Sequence, residues 1–201
     1  MFPRVPLLVL AGLAAGALAA FAMLSGPKGP PAAQTAIQTG KALIGGPFTL
    51  TDQDGKRVTE KDFLGKYMLV FFGFTHCPDI CPSGLQVMAA ALDQLGDKAK
   101  DVVPVFITLD PERDTPEKIG EYVKSFHSRF VGLTGSKDEV AAAAKAYRVY
   151  YQIVPDEKNQ NEYTIDHAAI IYLMGKDGTF VTHVPHATNT EAIVTALSKA
   201  L

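Results

Sequence analysis

The stretch GFTHCPDICPSGL, residues 73–85, carries both cysteines of the chain, Cys77 and Cys81, and a proline follows each. A lone C-x3-C pair admits three chemistries: a structural disulfide, a redox dithiol or a metal site. Residues four apart in a helical turn lie on one face, with Cα atoms about 6 Å apart, so such a pair can close. The bridge would enclose only three residues, and so small a loop restrains little unfolded-state entropy. Stability is therefore a weak motive for it. A helix start instead favours thiolate, through free amide N–H groups and the helix dipole. Thiolate is what both remaining chemistries need.

Two thiolates alone do not define a metal. Soft sulfur selects Cu(I) or zinc, and imidazole suits copper or zinc, so the histidines are the candidates for a third donor. There are five. His76 is adjacent to Cys77, where neighbouring side chains diverge. His127 lies near a helix end. His183 and His186 lie in and just after the last strand, at an edge. His167 follows YTID and precedes AAIIYLM, at the mouth of a buried strand. Spacing leaves it equally a loop histidine or a ligand.

The surrounding elements decide where these residues stand. PFTLTDQDGKRVT reads as a hairpin about Asp54-Gly55, and KYMLVFFGFT as a buried central strand. Pro82 has no N–H to donate, so a loose turn is predicted over 78–81 and a regular helix from Pro82 to Leu95. VVPVFITLD is a second buried strand. Thr115-Pro116-Glu117 opens a helix, FVGLTG is a short strand, and Ser136 with Glu139 forms a capping box for a helix through Tyr147. YTIDHAAIIYLM and TFVTHVP read as a hairpin about Asp177-Gly178. Thr188 with Glu191 caps the closing helix. Strands alternating with helices predict a largely parallel α/β sheet covered on both faces, with the closing hairpin as an antiparallel edge. Ligands in such sheets sit beyond the carboxyl ends of the central strands. Both cysteines fall there.

Composition bounds the partners. Nineteen Lys+Arg face twenty-one Asp+Glu, a formal net charge of −2. No basic cluster points to nucleic acid. Val5–Leu24 is an uncharged run of twenty residues, long enough at about 1.5 Å each to span a hydrocarbon core of about 30 Å. It contains A-x-A cleavage patterns at Ala17–Ala19 and Ala20–Ala22 but is long for a signal sequence. The reading is an anchor over 1–24, a Pro/Gly/Ala-rich tether over 25–45 and a soluble domain over 46–201. Arg4 places the amino terminus inside and the domain outside the cytoplasm, where a disulfide can persist.

FGFTHCPDICP, LDPERDTP and YTIDHAAIIYLMGKDG, with GPFTLTDQDGKRVTEKDFLGKYMLVFFGFTHC upstream, resemble in order and spacing the signature blocks of the Sco/SenC copper chaperones. The resemblance covers residues 46–200. It implies a thioredoxin-like fold, mixed in its sheet, behind one transmembrane helix of the inner membrane with the domain in the periplasm or its equivalent. It implies copper, as Cu(I) or Cu(II), held by Cys77, Cys81 and His167. It also implies a part in building the Cu-A centre of cytochrome c oxidase subunit II. Another periplasmic copper chaperone and a thioredoxin-like reductant are the further partners it implies. For LDPERDTP the residues themselves offer only a strand end and the helix cap at Thr115, with Asp110 as a candidate brace for the site.

The competing class is an enzyme, a thiol–disulfide oxidoreductase using Cys77 and Cys81 to keep a recipient's cysteines reduced. Such proteins normally carry C-x-x-C, and here the loop has one residue more. A peroxiredoxin-like peroxidase would need Thr three residues before its cysteine, where this chain has Phe74.

Overall fold

The structure is a computed structural model that describes residues 43–156, 159, 162–185 and 189–201. The expected anchor Val5–Leu24, nearly all of the tether, His186 and the capping residue Thr188 lie outside the described residues. Among the described residues no helix is long and apolar enough to cross a membrane.

The centre is β3 (Tyr67–Gly73), whose residues from Met68 onward are all buried. A strand buried on both faces needs a continuous apolar run, and MLVFFG supplies one. It pairs in parallel with β4 (Val102–Thr108) and antiparallel with β8 (Ile170–Met174). Outward on one side, β5 (Val131–Thr134) pairs with β4 in parallel, and the hairpin β1 (Thr49–Asp52) and β2 (Arg57–Thr59) follows antiparallel. Outward on the other side lies β9 (Phe180–Pro185). The order is β2-β1-β5-β4-β3-β8-β9. Parallel pairing is confined to β3-β4-β5, so the sheet is mixed rather than largely parallel. This is the thioredoxin-like α/β architecture expected.

Helices cover both faces. On the face of Phe71 and Gly73 lie α1 (Ile80–Leu95), α2 (Pro116–Lys124) and α4 (Thr190–Ala200). Three contacts place them: Cys81 against Gly73, Ile119 against Gly132, and the Tyr67 hydroxyl bonded to the Ala200 carbonyl. On the opposite face, Tyr147 at the end of α3 (Lys137–Ala146) packs on Phe72 at 5.3 Å between ring centres. Thr115 caps α2 by accepting the Lys118 N–H, and Ser136 with Glu139 forms the expected capping box of α3. The cap of α4 is Asn189, which accepts the Ala192 N–H at 3.2 Å.

Two departures bear on the site. First, α1 starts at Ile80, two residues before Pro82. Pro82 is then the third helical residue, where an N–H would have no intrahelical partner anyway. Second, Tyr163 to Met174 is not one strand. It breaks at Ala168–Ala169, and β7 (Tyr163–His167) pairs antiparallel with β6 (Tyr151–Pro155) as a separate two-stranded ribbon. The apolar run Ile170–Met174 suits the sheet interior. Thr164 and Asp166, exposed and alternating with buried Ile165, suit a surface ribbon.

Candidate functional site

The loop from β3 to α1 delivers both sulfurs to the carboxyl end of the sheet. Phe74, 2 % exposed, anchors it, and the Cys77 N–H donates to the Phe74 carbonyl at 3.2 Å. Cys77 is half-buried before the helix, while Cys81 is fully buried in its first turn. No disulfide joins them. The Cys81 N–H, one of the free amides of the helix start, donates to Cys77 Sγ at 3.3 Å. The space for Cys81 comes from Gly73, where an added Cβ would stand 2.6 Å from the Cys81 sulfur.

β7 brings the third residue. His167 Nε2 lies 3.7 Å from Cys81 Sγ. Its Nδ1 lies 3.3 Å from the Ala168 carbonyl. A carbonyl only accepts, so this contact takes a proton on Nδ1 and leaves Nε2 as the ring nitrogen facing the sulfurs. The ring is held edge-on by Phe71 and Phe74, at 6.3 and 6.1 Å. A cavity of about 260 Å³, lined among others by Cys77, Ile80, Ile165 and His167, opens Cys77 and His167 to solvent. A larger groove of about 600 Å³ between β9 and α4 holds none of the three.

The two sulfurs are electrically unlike. The hydrogen bond from the Cys81 thiol, followed by bonds from His167 and the Cys81 and Asp79 backbone, holds Cys77 down at about 3, against the opposing effect of burial. Cys81 is pushed well above the ordinary thiol range by its bond to the Cys77 sulfur and by burial. The site at neutral pH is thus one accessible thiolate sharing the proton of one buried thiol.

The donors fit a soft ion. A metal bound to sulfur at about 2.3 Å and to nitrogen at about 2.0 Å, with about 120° between them, separates those two atoms by about 3.7 Å. That is the observed Cys81–His167 distance. Among the described residues no three Cys, His, Asp or Glu side chains are gathered tightly enough to hold an ion as they stand.

The other described histidines stay apart, each with a partner of its own. His76, its side chain 47 % exposed, has Nδ1 3.2 Å from Thr75 Oγ1. His127 Nε2 is 3.4 Å from Asp93, and His183 stacks on Phe180 in the edge strand β9.

LDPERDTP does more than cap a helix. The buried polar residues of the described chain are Thr108, Asp110, Asp114 and Thr134, and they form one network. Asp114 accepts the Thr75 N–H at 3.0 Å, the Thr75 hydroxyl at 2.5 Å and the Thr108 hydroxyl at 2.6 Å, which fixes the loop two residues before Cys77. The Thr134 hydroxyl donates to its backbone carbonyl. Asp110 pairs with Arg113 and accepts the Tyr163 hydroxyl at 2.8 Å. Burial and that bond to Asp110 raise the Tyr163 phenol to about 12, so it donates at any ordinary pH. Sequence reasoning named Asp110 and missed Asp114, Thr75, Arg113 and Tyr163. The available signal was four charges and a threonine placed directly after a buried strand.

Comparison with known proteins finds relatives in sequence and in fold. Residues 36–201 match the SCO1/SenC family. The chain is 52 % identical over 143 residues to the mitochondrial protein SCO1 homolog 1 of Arabidopsis thaliana, a match covering 71 % of this chain and 42 % of that protein. The chain spans about half the length of the curated mitochondrial relatives it matches. The copper-bound crystal structure of Arabidopsis thaliana ScoI superposes with a TM-score of 0.74 at 46 % identity, covering 78 % of this chain and 97 % of that one. BsSco, a member of the Sco family of cytochrome c oxidase assembly proteins in which a disulfide switch was identified, superposes at 0.63 with 25 % identity, covering 81 % and 96 %.

Proposed function

The chain belongs to the SCO1/SenC family, and from that premise we propose that it binds copper through Cys77, Cys81 and His167 and hands it to the Cu-A domain of cytochrome c oxidase subunit II. One observation carries the reading: His167 Nε2 faces the Cys81 sulfur at the distance two ligands of one ion would have. The copper held by the Arabidopsis relative supports the choice of metal.

Copper is cargo here, a soft ion that two sulfurs and an imidazole hold without a closed four-ligand cage. Cys77 offers a thiolate at the cavity. Cys81 releases its proton on loading. His167 arrives on a ribbon separate from the main sheet, so its nitrogen can leave without disturbing the sulfurs, and a recipient's ligands can enter through the cavity. The uncharged stretch Val5–Leu24 supports a tether to the inner membrane, with the domain on its outer side. The test is copper titration into the reduced and the oxidised protein without oxygen. Binding of one copper by the reduced form alone is expected, and equal affinity in both forms would remove the cysteines from the ligand set.

A second reading, reduction of a partner's disulfide, is favoured by the unequal sulfurs. The Cys77 thiolate attacks the partner's S–S bond, forms a mixed disulfide and expels one partner thiolate. Cys81, losing its proton, then attacks Cys77 Sγ and closes their disulfide. The second partner thiolate leaves, and two electrons have passed from the pair to the partner. The same residues serve both activities.

A further inference from the structure

Among the described residues, the ribbon that carries His167 pairs with no strand of the seven-stranded sheet. At its base the Ala168 N–H bonds to the Tyr150 carbonyl. Four residues up the strand, on the same side as His167 by strand alternation, Tyr163 is gripped from the turn after β4. The Arg113 guanidinium lies over the Tyr163 ring, its Cζ 3.7 Å from the centroid, and Nη1 donates to the Tyr163 carbonyl at 3.0 Å. Nε of Arg113 pairs with Asp110, whose other oxygen accepts the Tyr163 hydroxyl. Asp110 is 3 % exposed. Both ends of one tyrosine, backbone and phenol, are thus fastened to one ion pair whose carboxylate is buried.

We propose that Asp110, Arg113 and Tyr163 form a latch that positions His167: closed, it sets the ribbon at the height where Nε2 meets the sulfurs, and released, it lets the histidine withdraw. The latch springs from the same turn whose Asp114 fixes the cysteine loop through Thr75. One rigid segment therefore sets both sides of the metal site, and their separation does not depend on the ribbon's own stiffness. A two-stranded ribbon is marginal by itself in water, so it needs such an external hold. Arg suits the task because its planar fork bonds the carboxylate and the carbonyl while its face covers the ring.

The inference rests on the reading of His167 as a copper ligand, and the test separates the two. Arg113→Gln and Tyr163→Phe are made in the natural chain and again in His167→Ala. Amide hydrogen exchange of 151–155 and 163–167 is measured in metal-free protein, and Cu(I) affinity by competition with a chelator. Both latch variants should speed ribbon exchange while leaving that of β3 unchanged. Each should weaken copper about tenfold, the lower end for residues that orient metal ligands. Neither should weaken it further once His167 is alanine, because groups acting through one another are not additive. Equal losses in both backgrounds would mean the latch supports the fold at large and overturn the proposal. So would unchanged ribbon exchange. If Arg113→Gln leaves Asp110 unpaired and does not fold, Tyr163→Phe, which keeps the ion pair and the ring, carries the test. Should His167→Ala alone leave copper affinity intact, the ligand reading fails at that step, before any latch variant is examined, and the latch falls with it.

Discussion

Gly73 and Cys81 occupy one another's space: a Cβ at residue 73 would stand 2.6 Å from the Cys81 sulfur and 2.9 Å from Phe106 Cε2. The last residue of the central strand is therefore bare so that a sulfur can be buried over it. Nothing in the backbone angle demands glycine there, so the requirement is one of volume.

Gly73→Ala should accordingly push Cys81 outward. Overpacking of this kind costs about 1–3 kcal/mol, and the displaced sulfur should lose its 3.7 Å relation to His167. Urea unfolding and copper affinity, measured together, check this. An alanine variant with natural stability and natural affinity would show that the sulfur has room to spare.

The unequal sulfurs predict unequal alkylation. With Cys77 held at about 3, its thiolate persists from neutral pH down to that value and is lost only as the pH falls through it. Iodoacetamide should therefore label Cys77 alone, at a rate nearly level from about pH 8 to pH 5, and leave buried Cys81 unmodified in the folded chain. Mass spectrometry of quenched samples gives both rates. A rate still rising tenfold per pH unit up to about 8.5 would be that of an ordinary thiol and would contradict the shared proton.

Most of the main sheet could be read from the sequence because MLVFFG and VVPVFIT are continuous apolar runs between capped helices, and the caps at Thr115 and Ser136 are chemical signals local to a few residues. The position of the cysteines after the central strand followed from the same pattern. The ribbon β6–β7 did not. Tyr163–His167 and Ile170–Met174 are separated by only Ala168-Ala169, which read as continuation of a strand, and the partner strand Tyr151–Pro155 is mostly exposed, with no buried alternation to announce it. His167 could be placed at a strand end but not facing a sulfur, since that depends on which sheet its strand joins. Asp110 and Asp114 were equally opaque, because a carboxylate in sequence does not reveal whether it ends in solvent or beneath two hydroxyls.

Glu139 offers a test far from the site. It accepts from the Ser136 N–H and pairs with Arg57, which, with the Arg57 bond first, lowers it to about 2. The unfolded value is about 4.3. A depressed carboxylate stabilises the fold above the unfolded value, and the contribution disappears as the pH falls through the folded one. The pair is largely exposed, so solvent screening limits it to about 0.5–1 kcal/mol. Glu139→Gln should be less stable by that amount at pH 7 and indistinguishable near pH 2. A gap unchanged across the range would assign the effect to packing of the side chain rather than its charge.

The decisive variant is His167→Ala. The histidine is the donor remote in sequence from the sulfurs, and it takes no proton or electron in dithiol exchange, where attack depends on the thiolate and its access. It does contribute a hydrogen bond to Cys77, but the Cys81 thiol is the larger cause of that thiolate. Removing the imidazole should therefore leave Cys77 reactive and disulfide reduction changed by less than about fivefold, one ordinary hydrogen bond's worth. Copper loses one ligand of three, and its affinity should fall by more than about a hundredfold, beyond what loss of a merely orienting residue produces. Chelator competition and reduction of a test disulfide are run on the same preparation, and oxidase assembly is scored in cells carrying only the variant. Failed assembly with intact disulfide reduction makes copper handling the working activity. Assembly that survives without copper binding gives the first place to the reductase. Unchanged copper affinity would instead send the search for the third donor to His76, whose ring stands nearest in sequence to Cys77 and already leans on Thr75.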